Sequence, residues 1–417
     1  MSLKRVVVTG LGAVTPIGNN VESYFEGLRN GVSGAANITK FDASKFRTKF
    51  ACEVKDFSSE QYIEKKDARK LDPFVQYALV SAGEAIQNSG LDLEKIDKNK
   101  TGVIWGSGIG GLKTFQDEVS DFARGDGTPR FSPFFIPKMI IDLAPGHISI
   151  KYGFRGVNYA TVSACASSAN AIAESFNYIR YGKMSIMVTG GSEAIIYEAA
   201  IGGFNSMRAL SERNDDPKTA SRPFDVNRDG FVAGEGGGAL ILEELEHAIA
   251  RGATIYAEVM GSGMSADAYH MTAPHPEGIG VQLVMNNVLE DAGMTTKDID
   301  YINVHGTSTP LGDVSELNAI HKVFGDDVYR INISSTKSMT GHLLGAAGAI
   351  EAIASIFAIK YGIIPPTINH FDDDPAIDNK INLTFNKAQE REVKAALSNT
   401  FGFGGHNVSL IFKKYKA

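Results

Sequence analysis

The sequence predicts an α/β protein built from two similar halves, and three observations carry that reading. Short apolar β-prone runs alternate along the whole chain with longer segments of helical periodicity, the pattern of buried strands covered by helices. A polar strand end precedes a long helix of small residues twice, as TVSAC before 166–178 and as SSTKSMTGH before 343–359. The second half also opens as the first does, with a strand and a glycine-rich loop: 6–9 then GLGAVTPIG, and 254–261 then GSGMSADAYH. The halves divide at Gly252, giving 1–252 and 253–417. Pseudo-symmetry between them would bring the two helix starts to one centre and place Cys165 near His342.

The elements follow in order. Residues 6–9 form a strand entering GLGAVTPIG; Thr15 stands where a dinucleotide fingerprint needs its third glycine, and Pro16 follows, so a nucleotide site is weak there. Residues 21–29 form a short helix with Asn20 as its cap. Residues 59–88 read as helix in two pieces broken at Pro73, the second with apolar spacing at Phe74, Tyr77, Ala78, Ala82, Ala85 and Ile86. Its approach carries Lys65, Lys66, Arg69 and Lys70, which is either a solvated face or a landing patch for an acidic partner. A strand at 101–105 leads into GSGIGG, a weak phosphate signal that close backbone approach to another chain or an apolar ligand explains as well. After the strand 159–162 and the Cys165 helix come a buried strand 184–189, a long polar loop 211–230, and FVAGEGGGALILEEL, a glycine bend turning into a strand. A helix at 245–251 closes the first half. The second half continues with helix 280–292, strand 301–304, helix 314–324 and strand 332–335. An apolar helix starting at Gly341-His342, a strand 394–399, a loop TFGFGGHN and a last strand 408–412 complete the chain.

Composition narrows the function. A chain of 417 residues has ample length for a core, and 41 Lys and Arg against 48 Asp and Glu give a net charge of −7, which argues against nucleic acid as a partner. Cys52 and Cys165 are the only cysteines, too few for a disulfide framework, and no metal-spaced Cys/His set occurs; a reducing, cytoplasmic location is expected. The N-terminal MSLKRVVVTG lacks the features of a signal peptide. The longest apolar tract, 343–359, is rich in Gly and Ala and carries Glu351 in its middle, so a core helix is expected there and no membrane insertion.

Cys165 sits where a strand ends and a helix begins. The unpartnered first-turn N–H groups and the macrodipole favour an anion at such a place, which would lower a thiol from its usual pKa near ~8.5. Two readings stand: a reactive thiolate, or a small buried packing residue. His305 lies in INVHGTSTPLGD directly after a buried strand, and His342 in SSTKSMTGHLLGAAGA at a helix start. Neutral imidazole at such junctions can donate from one nitrogen while a backbone donor fixes the other; each alone could equally be structural.

VSACASS, PFDVNRDGFVAGEG, VHGTSTPLGD, STKSMTGHLLGAAG and NTFGFGGHN together resemble the elongating β-ketoacyl-[acyl carrier protein] synthases, most closely the type II class. The resemblance covers essentially the whole chain. It implies a thiolase-like fold of two pseudo-symmetric half-domains in αβαβα layers, a homodimer, and decarboxylative Claisen condensation that extends an acyl chain by two carbons in fatty acid elongation. Position by position, Cys165 matches the nucleophile that takes the acyl group from acyl carrier protein, with the N–H groups of Cys165 and Phe403 as oxyanion donors. His305 and His342 match the pair that binds the malonyl thioester carbonyl, and Lys337 the lysine that supports them. Phe403 would also gate the acyl pocket, with Phe204, Phe231 and Asp267 near it. Ile109 matches a pocket position at the dimer interface that influences acyl length, and Thr307 and Thr309 match contacts to the pantetheine arm. Lys66, Arg69 and Lys70 match a basic patch that meets the acidic carrier protein. Asn303, Glu351, Ser398 and Asn399 match a structural Na+ or K+ site of some members, Glu351 being equally a buried partner for Lys337; no cofactor is otherwise required. His406 departs from the family, standing where many members have threonine, and is read as packing.

Relatives of the same fold fit less well. Thiolases need a second catalytic cysteine, and Cys52 lies in no matching context; initiating synthases pair cysteine with histidine and asparagine, where this chain has His342. Non-catalytic chain-length factors lack the cysteine. A thioester hydrolase would leave the second histidine and Lys337 without a task.

Overall fold

A computed structural model describes residues 3–416; Met1, Ser2 and Ala417 lie outside the described residues. Ten strands form one sheet: β1 Val6–Val14, β2 Thr101–Gly106, β3 Asn158–Thr161, β4 Ile186–Glu193, β5 Gly236–Glu244, β6 Ala257–Ala266, β7 Tyr301–Asn303, β8 Asn332–Ser334, β9 Ala395–Gly402 and β10 His406–Lys413. Their order is β3-β2-β4-β5-β1-β6-β10-β9-β7-β8. The second five strands repeat the order of the first five outward from the centre, and the senses repeat too. β2 runs parallel to β3 and β4, as β7 does to β8 and β9, while β5 and β10 are each antiparallel to both neighbours. The halves meet where β1 pairs antiparallel with β6 over Val6–Val259, Val7–Glu258 and Val8–Ala257. There Arg5 grips Glu258 through two hydrogen bonds of 2.7 Å.

Five principal helices complete the layers: α1 Pro73–Ser89, α2 Ser167–Arg180, α3 Ile279–Ala292, α4 Pro310–Phe324 and α5 Ala347–Tyr361. α2 and α5 pack on each other and on the strands of both halves, α1 covers the outside of the first half, and α3, packed on α4, covers that of the second. A helix sandwiched between the two halves of the sheet cannot be amphipathic, and α5 is buried on every face from Ala347 to Ile359. The segment Leu344–Tyr361 is apolar enough by length and composition to cross a membrane, yet 89% of it is buried inside the fold.

Several boundaries differ from those read in the sequence, each for a tertiary reason. β1 continues through GLGAV to Val14, and β6 through GSGMSA to Ala266, instead of ending in loops. A side chain on Gly12 would come within 1.9 Å of Ser81 O on α1, and one on Gly263 within 2.4 Å of Val284 O on α3. These glycines let a strand lie flush against its covering helix; they are not loop or nucleotide signals. β4 likewise runs through Gly190-Gly191 to Glu193. TFGFGGHN is the tip of the β9–β10 hairpin rather than a loop, with only Phe403–Gly405 outside the strands. The first helical piece before Pro73 shrinks to Lys65–Ala68, while α1 starts with Pro73 in its first turn and the Asp72 side chain accepting from Phe74 N. The Val21–Arg29 helix is as read, with Asn20 and Ser23 forming a reciprocal capping box. His342 does not begin a helix: a turn at Leu344–Ala346 precedes α5.

Candidate active site

Cys165 lies in the tight turn between β3 and α2. Ala164 adopts φ +50°, a left-handed conformation that a residue with a Cβ holds only when its surroundings impose it, and Ala166 N closes the turn on Ser163 O at 3.0 Å. The end of β9 presses on this turn. A side chain on Gly402 would come within 2.5 Å of Ser163 O and 3.1 Å of Cys165 N. Glycine there lets the next residue, Phe403, aim its backbone N–H at the Cys165 sulfur.

His305 follows β7. Its N–H and that of Gly306 donate to the Glu316 carboxylate of α4 at 2.9 and 2.8 Å, which fixes the VHG turn. His342 is held strand-fashion: its N–H donates to Val232 O at 2.8 Å, and its carbonyl accepts from Gly234 N at 2.9 Å. The two imidazoles meet edge to face with centroids 5.2 Å apart; Phe401 flanks His305 at 5.5 Å and Phe231 flanks His342 at 5.4 Å. Both Nδ1 atoms are buried without a hydrogen-bond partner among the described residues, so the backbone donor expected to fix one ring nitrogen is not there. Lys337 and Glu351 form a buried ion pair beneath them, their side chains 2% and 1% exposed.

Burial dominates the electrostatics. It pushes the pKa of His305 and His342 well below the usual imidazole value, and Lys337 pushes the same way, so both rings are neutral. It raises Glu316 and Glu351 to about 7 against the pull of their partners. It also pushes the Cys165 thiol up to about 12. Lys337 and the Phe403 N–H draw it down, while the Glu193 and Glu351 carboxylates push it further up. The lowered thiol pKa expected from the helix start is therefore overturned: α2 begins two residues later, at Ser167, and desolvation of the sulfur outweighs its N-terminus.

Cys165, His305 and His342 share one cavity of about 790 Å3. Ile109, Phe204, Phe231, Asp267, Thr307, Thr309 and Phe403 line it as well, so the structure brings together every residue expected of the acyl and pantetheine contacts. Phe204 and Phe231 meet edge to face at 5.3 Å, and the Thr307 and Thr309 hydroxyls are 3.1 Å apart. Asp267 braces the hairpin tip, its N–H donating to Gly405 O at 2.9 Å and its carboxylate accepting from Asn407 at 2.7 Å. The ring of exposed His406 rests on Gly404, its Nε2 2.9 Å from where a Cβ would stand. Lys66, Arg69 and Lys70 stand exposed outside the cavity; Lys66 pairs with Glu64 at 2.9 Å and Lys70 with Asp67 at 2.8 Å. Such surface pairs are weak and exchange readily for another anion.

The four residues of the expected cation site are all buried, and Asn303 pairs with Ser398 across β7 and β9. Two of their oxygens, Asn303 Oδ1 and Glu351 Oε2, have no partner among the described residues, whereas Asn399 Oδ1 accepts from Ser409 at 2.6 Å and Glu351 also holds Lys337. Orphaned carbonyl and carboxylate oxygens are the donors a hard monovalent cation takes.

Sequence reasoning missed three buried acids: Glu316, Asp313 and Glu193. Asp313 accepts from Ser308 N and Phe224 N at 3.1 and 3.0 Å, tying the loop after β7 to the polar loop before β5. An acid among apolar residues was the available signal, as in VTGGSEA at the end of β4, because an unpaired charge is rarely tolerated in a buried strand.

Comparison with known proteins identifies the family. The family models described as "Beta-ketoacyl synthase, N-terminal domain" and "Beta-ketoacyl synthase, C-terminal domain" match residues 3–248 and 256–371. The chain belongs to the beta-ketoacyl synthase family, and its fold is thiolase-like. It is 49% identical over 415 residues to the 3-oxoacyl-[acyl-carrier-protein] synthase 2 of Staphylococcus aureus (strain COL), covering 99% of each chain. Among solved structures, the ishigamide ketosynthase/chain length factor superposes with a TM-score of 0.93 at 35% identity over 100% of both chains. A chain of the AntDE:AntF assembly, a type II PKS acyl-carrier protein in complex with its ketosynthase bound to the hexaketide, superposes with a TM-score of 0.90 at 32% identity, again over 100% of both chains.

Proposed function

We propose that this chain is a β-ketoacyl-[acyl carrier protein] synthase of the type II class, an acyltransferase that condenses malonyl-[acyl carrier protein] with an acyl group held on Cys165 in fatty acid elongation. The observation that carries the reading is one cavity uniting Cys165, two neutral imidazoles and the Phe403 N–H. Cys165 attacks the acyl thioester carbonyl as its thiol proton passes to the departing carrier sulfur, the N–H groups of Cys165 and Phe403 hold the oxyanion, and the carrier leaves as the free thiol. A malonyl thioester then takes its place with its carbonyl oxygen between His305 and His342. Because the rings are neutral, each donates a hydrogen bond without delivering a charge, which stabilises an enolate as the bond to the carboxylate breaks and CO2 leaves. The enolate carbon attacks the acyl-Cys165 carbonyl; a carbon–carbon bond forms, the carbon–sulfur bond breaks, and the Cys165 sulfur leaves as a thiolate that takes a proton from water and returns to the thiol. Lys337, neutralised in part by Glu351, holds the field in which the histidines stay unprotonated.

Other parts of the reading rest on their own supports. Acyl carrier protein as partner is supported by the names of the relatives and by the exposed Lys66, Arg69 and Lys70. A homodimer is supported by β3, which ends the sheet with an open edge, and by the exposed Ile150, Val162, Phe122, Phe131, Phe134 and Ile136. Half-domains at 1–252 and 253–417 are supported by the two matched spans. A structural Na+ or K+ held by Asn303 and Glu351, with Ser398 and Asn399 beside them, is supported by the orphaned oxygens. Melting in K+, Na+ and choline salts at equal ionic strength tests it, and identical melting points would remove it.

Incubation with an acyl carrier protein thioester, followed by malonyl carrier protein, tests the chemistry. Intact mass should show an acyl adduct that is absent in Cys165→Ala and is released as β-keto product. Release as free acid would make the chain a hydrolase, and an adduct on Cys52 would refute the assignment.

A further inference from the structure

We propose that Glu193 is a positioning residue that fixes the floor of the acyl pocket and thereby sets its chain-length selectivity. The proposal rests on the reading of the cavity as an acyl pocket. Glu193 ends β4, is fully buried, and does not touch the reacting atoms. Its Oε1 accepts from Ser107 Oγ at 3.0 Å, Ile109 N at 3.1 Å and Gly110 N at 3.2 Å, and its Oε2 from Gly108 N at 2.7 Å and Gly345 N at 3.0 Å. A carboxylate is acceptor-only with about four lone-pair positions, and these donors, with Gly110 N shared between Glu193 and Ser107 Oγ, fill them and leave no place for an acid proton.

The GSGIGG stretch therefore is an anion nest, but the anion is the protein's own side chain. One carboxylate ties a loop of the first half, whose Gly108 and Ile109 line the cavity, to the turn of the second half that carries Leu344, another lining residue. The approach is close enough that a side chain on Gly345 would come within 2.2 Å of Gly108 N and 2.6 Å of Glu193 Oε2. Ile109 and Leu344 thus hold a set separation only while Glu193 gathers both backbones. Ser107 Oγ supports the same arrangement, donating to Glu193 and accepting from Gly110 N at 3.2 Å.

The test compares wild type, Glu193→Gln and Ser107→Ala for the rate of Cys165 acylation by short-, medium- and long-chain acyl carrier protein thioesters, read by intact mass. In Glu193→Gln an amide NH2 group faces backbone donors, and the floor loosens. The preference for the best chain over the next longer class should fall by about fivefold or more, on the scale by which fit in an apolar pocket discriminates. Ser107→Ala should shift the profile in the same direction and more weakly, with iodoacetamide alkylation of Cys165 within about twofold of wild type. A folded Glu193→Gln with the wild-type profile overturns the proposal. If that variant does not fold, a wild-type profile in Ser107→Ala overturns it, as does a fall in alkylation matching the change in acylation. Wild-type protein that accepts no acyl group of any length sinks the condensing-enzyme reading instead, and this inference with it.

Discussion

Replacing Gly402 by alanine isolates the oxyanion donors from the rest of the site. The added methyl would stand 2.5 Å from Ser163 O, 3.1 Å from Cys165 N and 3.2 Å from Ala166 N, where ordinary contact starts at 3.4 Å. Because φ at Gly402 is not positive, alanine can adopt the backbone, and the strain falls on the contact. Strand β9 must withdraw from the Cys165 turn by about 0.9 Å, which stretches an N–H···O bond of ~2.9 Å from Phe403 beyond useful length. Loss of one oxyanion donor lowers the rate by about 10²- to 10³-fold. Acylation of Cys165 by acyl carrier protein thioester, followed by quenched intact mass, should slow by that factor. Alkylation by iodoacetamide, which forms no oxyanion, should change by less than about threefold, and malonyl decarboxylation, which uses the histidines, should be spared. Wild-type acylation in the folded variant would refute the geometry; equal loss of acylation and alkylation would show that the substitution displaces the sulfur itself.

Other perturbations follow from the buried charges. Lys337→Ala strands Glu351, and urea unfolding should show a loss of about 3–5 kcal/mol, part of it recovered when Glu351 is also replaced by alanine. The folded Glu351 pKa is already raised to about 7 by burial, above its unfolded value of 4.5, so the protonated acid favours folding. The deficit should therefore be smallest below the unfolded value and grow as pH rises through about 7; a pH-independent deficit would contradict the pairing. For His305 and His342 the sign is opposite: their folded pKa lies well below 6.5, so stability from the neutral rings is full above 6.5 and lost as pH falls below it. Malonyl decarboxylation in Cys165→Ala should accordingly stay flat through that region, and an acid limb near 6.5 would show that the rings titrate freely. Reversing Lys66, Arg69 and Lys70 to Glu should raise KM for a carrier-protein thioester about tenfold, with a weakened salt dependence, and leave a free pantetheine thioester unaffected. Equal effects on both substrates would remove the patch from recognition.

Local chemistry was legible in the sequence where it acts locally. The Asn20 cap and the Pro73 helix start depend on neighbours in the chain, and both stand where the residue types put them. The meaning of the glycines was hidden because a strand glycine admits a helix backbone from elsewhere, so GLGAV and GSGMSA read as loops although they are strand. The Cys165 pKa was misread for the same reason. A helix start is visible in sequence, whereas the burial that overrides it is tertiary: Ile109, Leu344 and Phe403, from three other stretches of chain, line the same cavity as Cys165. His342 looked like a first helical residue because the three residues of chain that hold it, Val232–Gly234, are over a hundred positions away.

The repeated strand order explains why the chemistry divides as it does. Equivalent strand ends face one another across the junction of the halves: β2 leads to GSGIGG and β7 to the His305 turn, β3 to Cys165 and β8 to Lys337 and His342, β4 ends at Glu193 and β9 at Gly402. On the proposed reading, these ends make the nucleophile and the floor for an acyl chain in the first half. In the second they carry the neutral donors and the Phe403 N–H. On that reading neither half alone holds both an acyl acceptor and a place to generate a carbanion, so condensation would require β1 and β6 to stay paired and α2 and α5 to stay packed. A substitution that loosens that junction, such as Glu258→Gln at the Arg5 pair, should impair the joint condensation step more than acylation, because acylation depends on one short approach of β9 while condensation depends on the alignment of every end.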